Sequence, residues 1–145
     1  MDNKMNKNRY IVIGGIVALV LIIILSIVLV NNYNEKKQRI GNEEIREIIN
    51  NKGSLVIYMY NYKSSNDIGP KILKHLKDKK VDFRVYDVSK IEGSEYVGLL
   101  DMFNIDRELF GYPAIIYIKN GVMFANIINI NDLDVVDTFV KDYNL

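Results

Sequence analysis

The reactive repertoire of this chain is narrow. Its 145 residues include no cysteine and one histidine, which excludes disulfides, thiolate nucleophiles, Cys-ligated zinc and dithiol redox chemistry. The polar side chains that remain gather in the stretch Asn61–Asn66, where Tyr62, Lys63, Ser64 and Ser65 directly follow the apolar run Leu55–Tyr60. A hydroxyl nucleophile needs a base beside it. His75 lies about three helical turns beyond Ser65 and has no second histidine to share a metal with. A Ser65 nucleophile, or a Tyr62 hydroxyl activating a bound thiol, stays open as an alternative. No metal or cofactor is expected. Tyrosine suits binding, because it buries area while keeping a polar tip, and Phe110-Gly111-Tyr112-Pro113 adds a second aromatic segment.

The formal net charge of +1 hides a split. Residues 1–41 carry Lys4, Lys7, Arg9, Lys36, Lys37 and Arg39 against Asp2 and Glu35, whereas residues 42–145 are mildly acidic. A domain of that sign lacks the basic stripe that nucleic acid requires, so nucleic-acid binding is not expected. The abundance of Asn, Ile and Lys points to an AT-rich bacterial genome.

The first forty residues set out a membrane plan. Met1–Tyr10 is a short polar, basic tail, and Ile11–Val30 runs without a charge. At about 1.5 Å per residue such a helix spans roughly 30 Å, the hydrocarbon thickness of a bilayer. In lipid only a helix satisfies the backbone of a single segment. A cleaved signal peptide would carry a shorter apolar core and a small-x-small site, whereas Ser26 stands alone before Val28, Leu29 and Val30. The reading is an uncleaved, single-pass anchor in the cell membrane. Lys4, Lys7 and Arg9 on one side nearly balance Lys36, Lys37 and Arg39 on the other. Gly14 and Ala18 offer a small-residue face for a weak homodimer, or are ordinary lipid-facing positions. Residues 31–41 are a polar tether.

The elements that must position the candidate residues follow in 42–145. Asn42 is expected to cap a helix Glu43–Asn50. Leu55–Tyr60 is apolar on both faces, as in the buried middle of a partly parallel sheet. A helix Asp67–Lys79 tolerates Pro70 only near its start. Lys77, Lys79 and Lys80 read as a solvated end that suits the helix dipole, with an anionic-ligand patch as the alternative, and His75 reads as a surface residue. Val81–Val88 alternates Val81, Phe83 and Val85 against Asp82, Arg84 and Tyr86, which predicts a strand. Ser94–Phe103 predicts a helix and Asn104–Gly111 a loop. Asn120-Gly121 between Ala114–Lys119 and Val122–Ile128 is a hairpin signal, since both turn positions favour positive φ. Asp132–Tyr143 closes the chain as an amphipathic helix. The order is α-β-α-β-α-β-β-α.

That order, together with LVIYMYNYKSSNDIGPKIL and GYPAIIYIKNGV, resembles the thioredoxin-like family over about residues 42–145. The first stretch is similar to the family's strand and Cys-x-x-Cys helix, the second to its cis-proline strand and hairpin. The fold class implied is α/β, a thioredoxin-like fold preceded by one transmembrane helix, with a cis Tyr112–Pro113 bond. The departure is chemical. Counting back from Pro70 puts the family's two cysteine positions at Tyr62 and Ser65, or one residue later at Lys63 and Asn66, and neither register supplies a thiol.

The resemblance further implies that the backbone beside Pro113 can pair with an extended segment by strand addition, with Tyr60, Tyr62, Phe110 and Tyr112 near that mouth. Those aromatics have a second reading, as core and rim filler. The partner-binding residues expected are therefore Tyr62, Lys63, Ser64, Ser65, Tyr112 and Pro113, in a redox-inactive module that binds a peptide or protein. The domain is expected outside the cytoplasm with the N-terminus inside, as in many tethered relatives. The alternative function is an accessory protein of a membrane export or secreted-peptide system, acting mainly through its transmembrane helix.

Overall fold

The computed structural model describes residues 13, 15–30, 38–63, 68–91, 93–106 and 108–145. The chain divides into two compact units, Met1–Lys37 and Gln38–Leu145.

In the first unit residues 15–30 are helical, with every described side chain exposed. The Ser26 hydroxyl donates to the Ile22 carbonyl at 2.8 Å, a bond that keeps this polar group within the helix. Among the described residues no helix is long and apolar enough to cross a membrane. Ile11, Val12 and Gly14 of the expected span lie outside the described residues, and so does half of the Gly14/Ala18 pair. The stretch 15–30 alone reaches about 24 Å.

The second unit has the expected element order, α1 (Asn42–Asn50), β1 (Leu55–Tyr60), α2 (Ile68–Asp78), β2 (Phe83–Asp87), α3 (Gly93–Met102), β3 (Ala114–Lys119), β4 (Val122–Ile127) and α4 (Leu133–Tyr143), with a 3-10 turn at Val88–Lys90. The strands lie in the order β2-β1-β3-β4. β1 pairs with β2 in parallel and with β3 antiparallel, and β3 pairs antiparallel with β4.

Burial of β1 on both faces follows from this central place. Val56, Tyr58 and Tyr60 enter one apolar layer with Ile72 and Leu76 of α2 and Val136 and Phe139 of α4. Ile57 and Met59 enter the other with Ile45 of α1 and Leu99 of α3. Two layers of helices therefore sandwich the sheet, and the alternation of side chains along each strand sends successive residues to opposite cores.

The hairpin forms as its Asn-Gly dipeptide dictates, with φ of 54° at Asn120 and 76° at Gly121. Each of the four helices ends in a paired closure around a left-handed residue, namely Lys52, Lys80, Asn104 and Asn144. In α2, for example, the Lys80 and Val81 amides donate to the Lys77 and Leu76 carbonyls at 3.0 and 3.1 Å. This closure occupies Val81, so β2 starts at Phe83. It ends at Asp87, whose carboxylate accepts from the Ser89 amide and caps the 3-10 turn.

Three expectations are corrected by tertiary contacts. Gly41, not Asn42, occupies the N-cap of α1. The Asn42 amide instead donates to the Glu95 carbonyl at 2.6 Å and accepts the Tyr86 hydroxyl at 2.7 Å, tying α1 to α3 and β2. Tyr86 is fully buried rather than on a polar face, because helices cover that side of β2 as well. His75 is not a bare surface residue, since its Nε2 lies 2.9 Å from Asp137 on α4, which also binds Lys79 at 2.8 Å.

Candidate functional site

The carboxyl end of β1 and the amino end of β3 meet at one edge of the sheet. The register Met59↔Ala114 places Tyr60 beside Pro113, and the Tyr112–Pro113 bond is cis, as the resemblance implied. After Tyr60 the chain turns through Asn61, whose Oδ1 accepts the Lys63 amide at 3.0 Å, a local bond of the kind Asn supplies in tight turns. Tyr62 and Lys63 are exposed there. Ser64, Ser65 and Asn66 lie outside the described residues.

The four aromatics expected at a common mouth do not converge. Tyr60 is a core residue, 4% exposed and stacked on Tyr58 with ring centres 6.0 Å apart. The first turn of α2 rests on it. A methyl group at Gly69 would overlap the Tyr60 ring, so only glycine admits this close approach. The Tyr58 hydroxyl donates to the Gly69 carbonyl at 2.8 Å. Burial above all, and then the neighbouring Tyr60 and Tyr62, push the Tyr58 phenol far above its ordinary range. Tyr62 meets Tyr60 edge-on at 4.9 Å and is 42% exposed, so it forms the rim.

Tyr112 and Phe110 belong to the opposite layer, where they cluster with Tyr96 at ring separations of 5.5 to 6.4 Å. The Tyr112 side chain therefore points into the protein. Its hydroxyl is buried without a hydrogen bond of good geometry among the described residues, and Tyr96 is the polar side chain that acts on it. Burial, aided by Tyr96, holds the Tyr112 phenol well above the ordinary value.

Tyr112 and Pro113 form a bend just ahead of β3. The Gly111 carbonyl accepts the Asn129 amide at 3.3 Å, and the Pro113 carbonyl accepts the Ile130 amide at 3.0 Å. Among the described residues no backbone bond is made to the Tyr112 amide or carbonyl. Pro113 itself is buried.

Two residues outside the expected set complete the edge. Arg39 was read as part of the tether, yet it bridges Val85 in parallel on the outer side of β2, and the Ile40 amide donates to the Val85 carbonyl at 3.0 Å. Its guanidinium binds Asp87 at 3.0 Å and stands 5.4 Å from the centre of the Tyr62 ring. Asp87, 5% exposed, also accepts from the Ser89 hydroxyl at 2.7 Å. A cavity of about 450 Å³ opens beside this pair, lined by Arg39, Asn42, Glu43, Asp87, Lys90 and Glu95 among others. Neither residue carried a local signal in the sequence; 48 positions separate the partners.

Among the described residues no group of three or more His, Cys, Asp or Glu could hold a metal. The Tyr62 turn brings no thiol to the edge, since the chain contains none. Among the described residues the arrangement is an exposed Tyr62 ring at the end of β1, set beside the Arg39–Asp87 pair.

Among solved structures the chain is similar to thioredoxin O2 of Arabidopsis thaliana in its oxidised state, at 18% identity over 70% of this chain and 84% of that one, with a TM-score of 0.50. It is also similar to the thioredoxin of Malassezia sympodialis, at 15% identity over 72% of this chain and 89% of that one, with a TM-score of 0.52. No protein-family model matches the sequence, and no curated protein does. The fold is thioredoxin-like, and this chain contains no cysteine.

Proposed function

We propose that this thioredoxin-fold chain is a membrane-tethered, redox-inactive module that binds an extended peptide or protein segment along the Tyr112–Pro113 edge, beside the Tyr62 turn. The observation that carries the reading is that the Tyr112 amide and carbonyl make no backbone bond among the described residues, while the Gly111 and Pro113 carbonyls are already bonded. A strand laid there would gain up to two main-chain hydrogen bonds. Tyr62 supplies the adjoining aromatic contact. The charge-free run Ile11–Val30 is the proposed anchor, with the domain on the outer face of the membrane.

The test starts by panning random-sequence nonapeptides on the full-length chain in detergent. The enriched peptide then becomes the probe in fluorescence anisotropy. Strand addition predicts that N-methylation at alternate peptide positions abolishes binding, because it removes the donors that face Tyr112. It also predicts that Tyr62→Ala, checked for an unchanged unfolding midpoint, weakens binding of the peptide. Binding that ignores both changes refutes the proposal.

The second reading, an accessory protein acting through its helix, draws on the exposed apolar side chains of 15–30, such as Ile22 at 65% and Leu25 at 64%. Replacing Ile11–Val30 by an unrelated spanning sequence separates the two. Peptide binding survives the swap under the first reading, whereas under the second the chain's cellular activity is lost with its own helix.

A further inference from the structure

Arg39 connects the polypeptide entering the domain to the exposed tyrosine at the end of β1. Residues 39 and 40 are held along the outer side of β2 by the Val85 bridge. The Ile40 side chain is buried beneath them, at 6% exposure, so this segment cannot swing away without baring it. From there the Arg39 side chain reaches the carboxyl ends of β2 and β1 and makes two contacts of different kinds. One Nη donates to Asp87 at 3.0 Å, and the guanidinium stands over the Tyr62 ring at 5.4 Å.

Neutralising Asp87 does not by itself call for arginine. The Ser89 amide and hydroxyl already bond that carboxylate, and the Lys90 ammonium lies 3.8 Å from it. A lysine at position 39 could satisfy the same oxygen. Only a planar guanidinium binds a carboxylate through its edge while offering its face to an aromatic ring. Arg39 and the edge contact with Tyr60 at 4.9 Å both hold the Tyr62 ring.

We infer that Arg39 is the positioning residue for Tyr62, fixing the ring at the carboxyl end of β1, so that the chain leading into the domain is itself part of the partner-binding site. This rests on the peptide-binding reading above. Ordering the ring before a partner arrives lowers the cost of binding, since a free tyrosine would lose its rotamer freedom on contact. An exposed cation–π contact is worth a two- to fivefold effect on affinity, about what 0.5–1 kcal/mol provides.

The test places 3-fluorotyrosine at position 62 alone in the full-length chain and follows its fluorine resonance. Two backgrounds accompany the parent: Arg39→Lys, which keeps a cation for Asp87, and Arg39→Leu/Asp87→Asn, which leaves no buried carboxylate unpaired should the lysine variant be unstable. The inference predicts that the resonance moves toward that of free 3-fluorotyrosine in both. It also predicts that affinity for the panned nonapeptide falls about two- to fivefold with the unfolding midpoint of Arg39→Lys unchanged. An unmoved resonance overturns it, and so does a moved resonance with full affinity, or an affinity loss that merely follows unfolding. If the parent chain binds no panned peptide, the binding reading fails and Arg39's part fails with it. That result is distinguishable from failure of Arg39 alone, where parent and variants bind the peptide equally.

Discussion

Replacing Gly69 by alanine tests the packing that separates the core from the candidate edge. On helix propensity alone the change is favourable, by at most about 1 kcal/mol. The structure predicts the opposite, because the added methyl would occupy the space of the Tyr60 ring. Two accommodations are open. If the ring leaves, a side chain that is 4% exposed returns to water, costing roughly 1.5–3 kcal/mol. Its contacts with Tyr58 and Tyr62 add roughly 0.5–1.5 kcal/mol each. If instead the first turn of α2 lifts, the buried Tyr58 hydroxyl loses the Gly69 carbonyl, at about 1–3 kcal/mol, and the ends of α2 and β1 separate. The net expectation is a loss of about 2–4 kcal/mol, and each kcal/mol lowers Tm by roughly 4–8 °C in a domain of this size. Thermal and urea unfolding of the full-length chain, followed by circular dichroism, reads it directly. A cycle with Tyr60→Leu isolates the cause, since the smaller side chain frees the space and the alanine should then cost much less. A neutral or stabilising Gly69→Ala, or strict additivity with Tyr60→Leu, would refute the reasoning.

Other consequences follow from the buried phenols and the α2–α4 ion cluster. Burial, with a smaller contribution from Glu95, pushes the Tyr86 phenol up to about 12. A tyrosine in the unfolded chain ionises near 10, so the native state is fully stable below that pH and weakens as pH rises from about 10 toward 12. Tyr86→Phe should flatten this alkaline decline in urea midpoints while costing about 1 kcal/mol at neutral pH for the lost Asn42 bond. Asp137 is held below the usual carboxylate value by Lys79 first and His75 second. Its contribution is therefore present above the unfolded value of about 3.9 and disappears as pH falls through the lower folded one; Asp137→Asn should remove that part of the acid dependence. Tyr112→Phe removes a buried hydroxyl that makes no well-formed hydrogen bond among the described residues, so stability should stay level or rise by up to about 1 kcal/mol, whereas a loss of that size would mean the hydroxyl is bonded.

Architecture was legible where a local rule coincided with the global need. β1 announced its central place by being apolar on both faces, and Asn120-Gly121 announced its hairpin through the positive φ that both residues adopt. The cis Tyr112–Pro113 bond came from the family resemblance rather than from a local rule. Legibility failed where a long-range contact outbid the local preference. Asn42 has a cap-forming side chain, but Tyr86 and Glu95 claim it. Tyr86 falls in the polar phase of an alternating strand, yet a second helical layer covers it. The helices close on Lys52, Lys80, Asn104 and Asn144 rather than on the glycine that usually marks such ends.

The candidate edge was legible in part for the same reason. Tyr62 was read into the turn after the central strand, where the structure leaves it exposed. Tyr112 was singled out for its ring and for the backbone beside Pro113, and the ring joins Tyr96 and Phe110 inside. Arg39 could not be found from its neighbours, because both of its contacts, Asp87 and Tyr62, are set by the folded sheet.

Hydrogen exchange at the Tyr112 amide tests the central claim most directly. In the free full-length chain that amide should exchange quickly, while those of Asn129 and Ile130, bonded to Gly111 and Pro113, exchange slowly. With the panned peptide bound, Tyr112 should slow to match them. A Tyr112 amide already protected in the free chain, or one that the bound peptide leaves unprotected, would contradict strand addition at this edge.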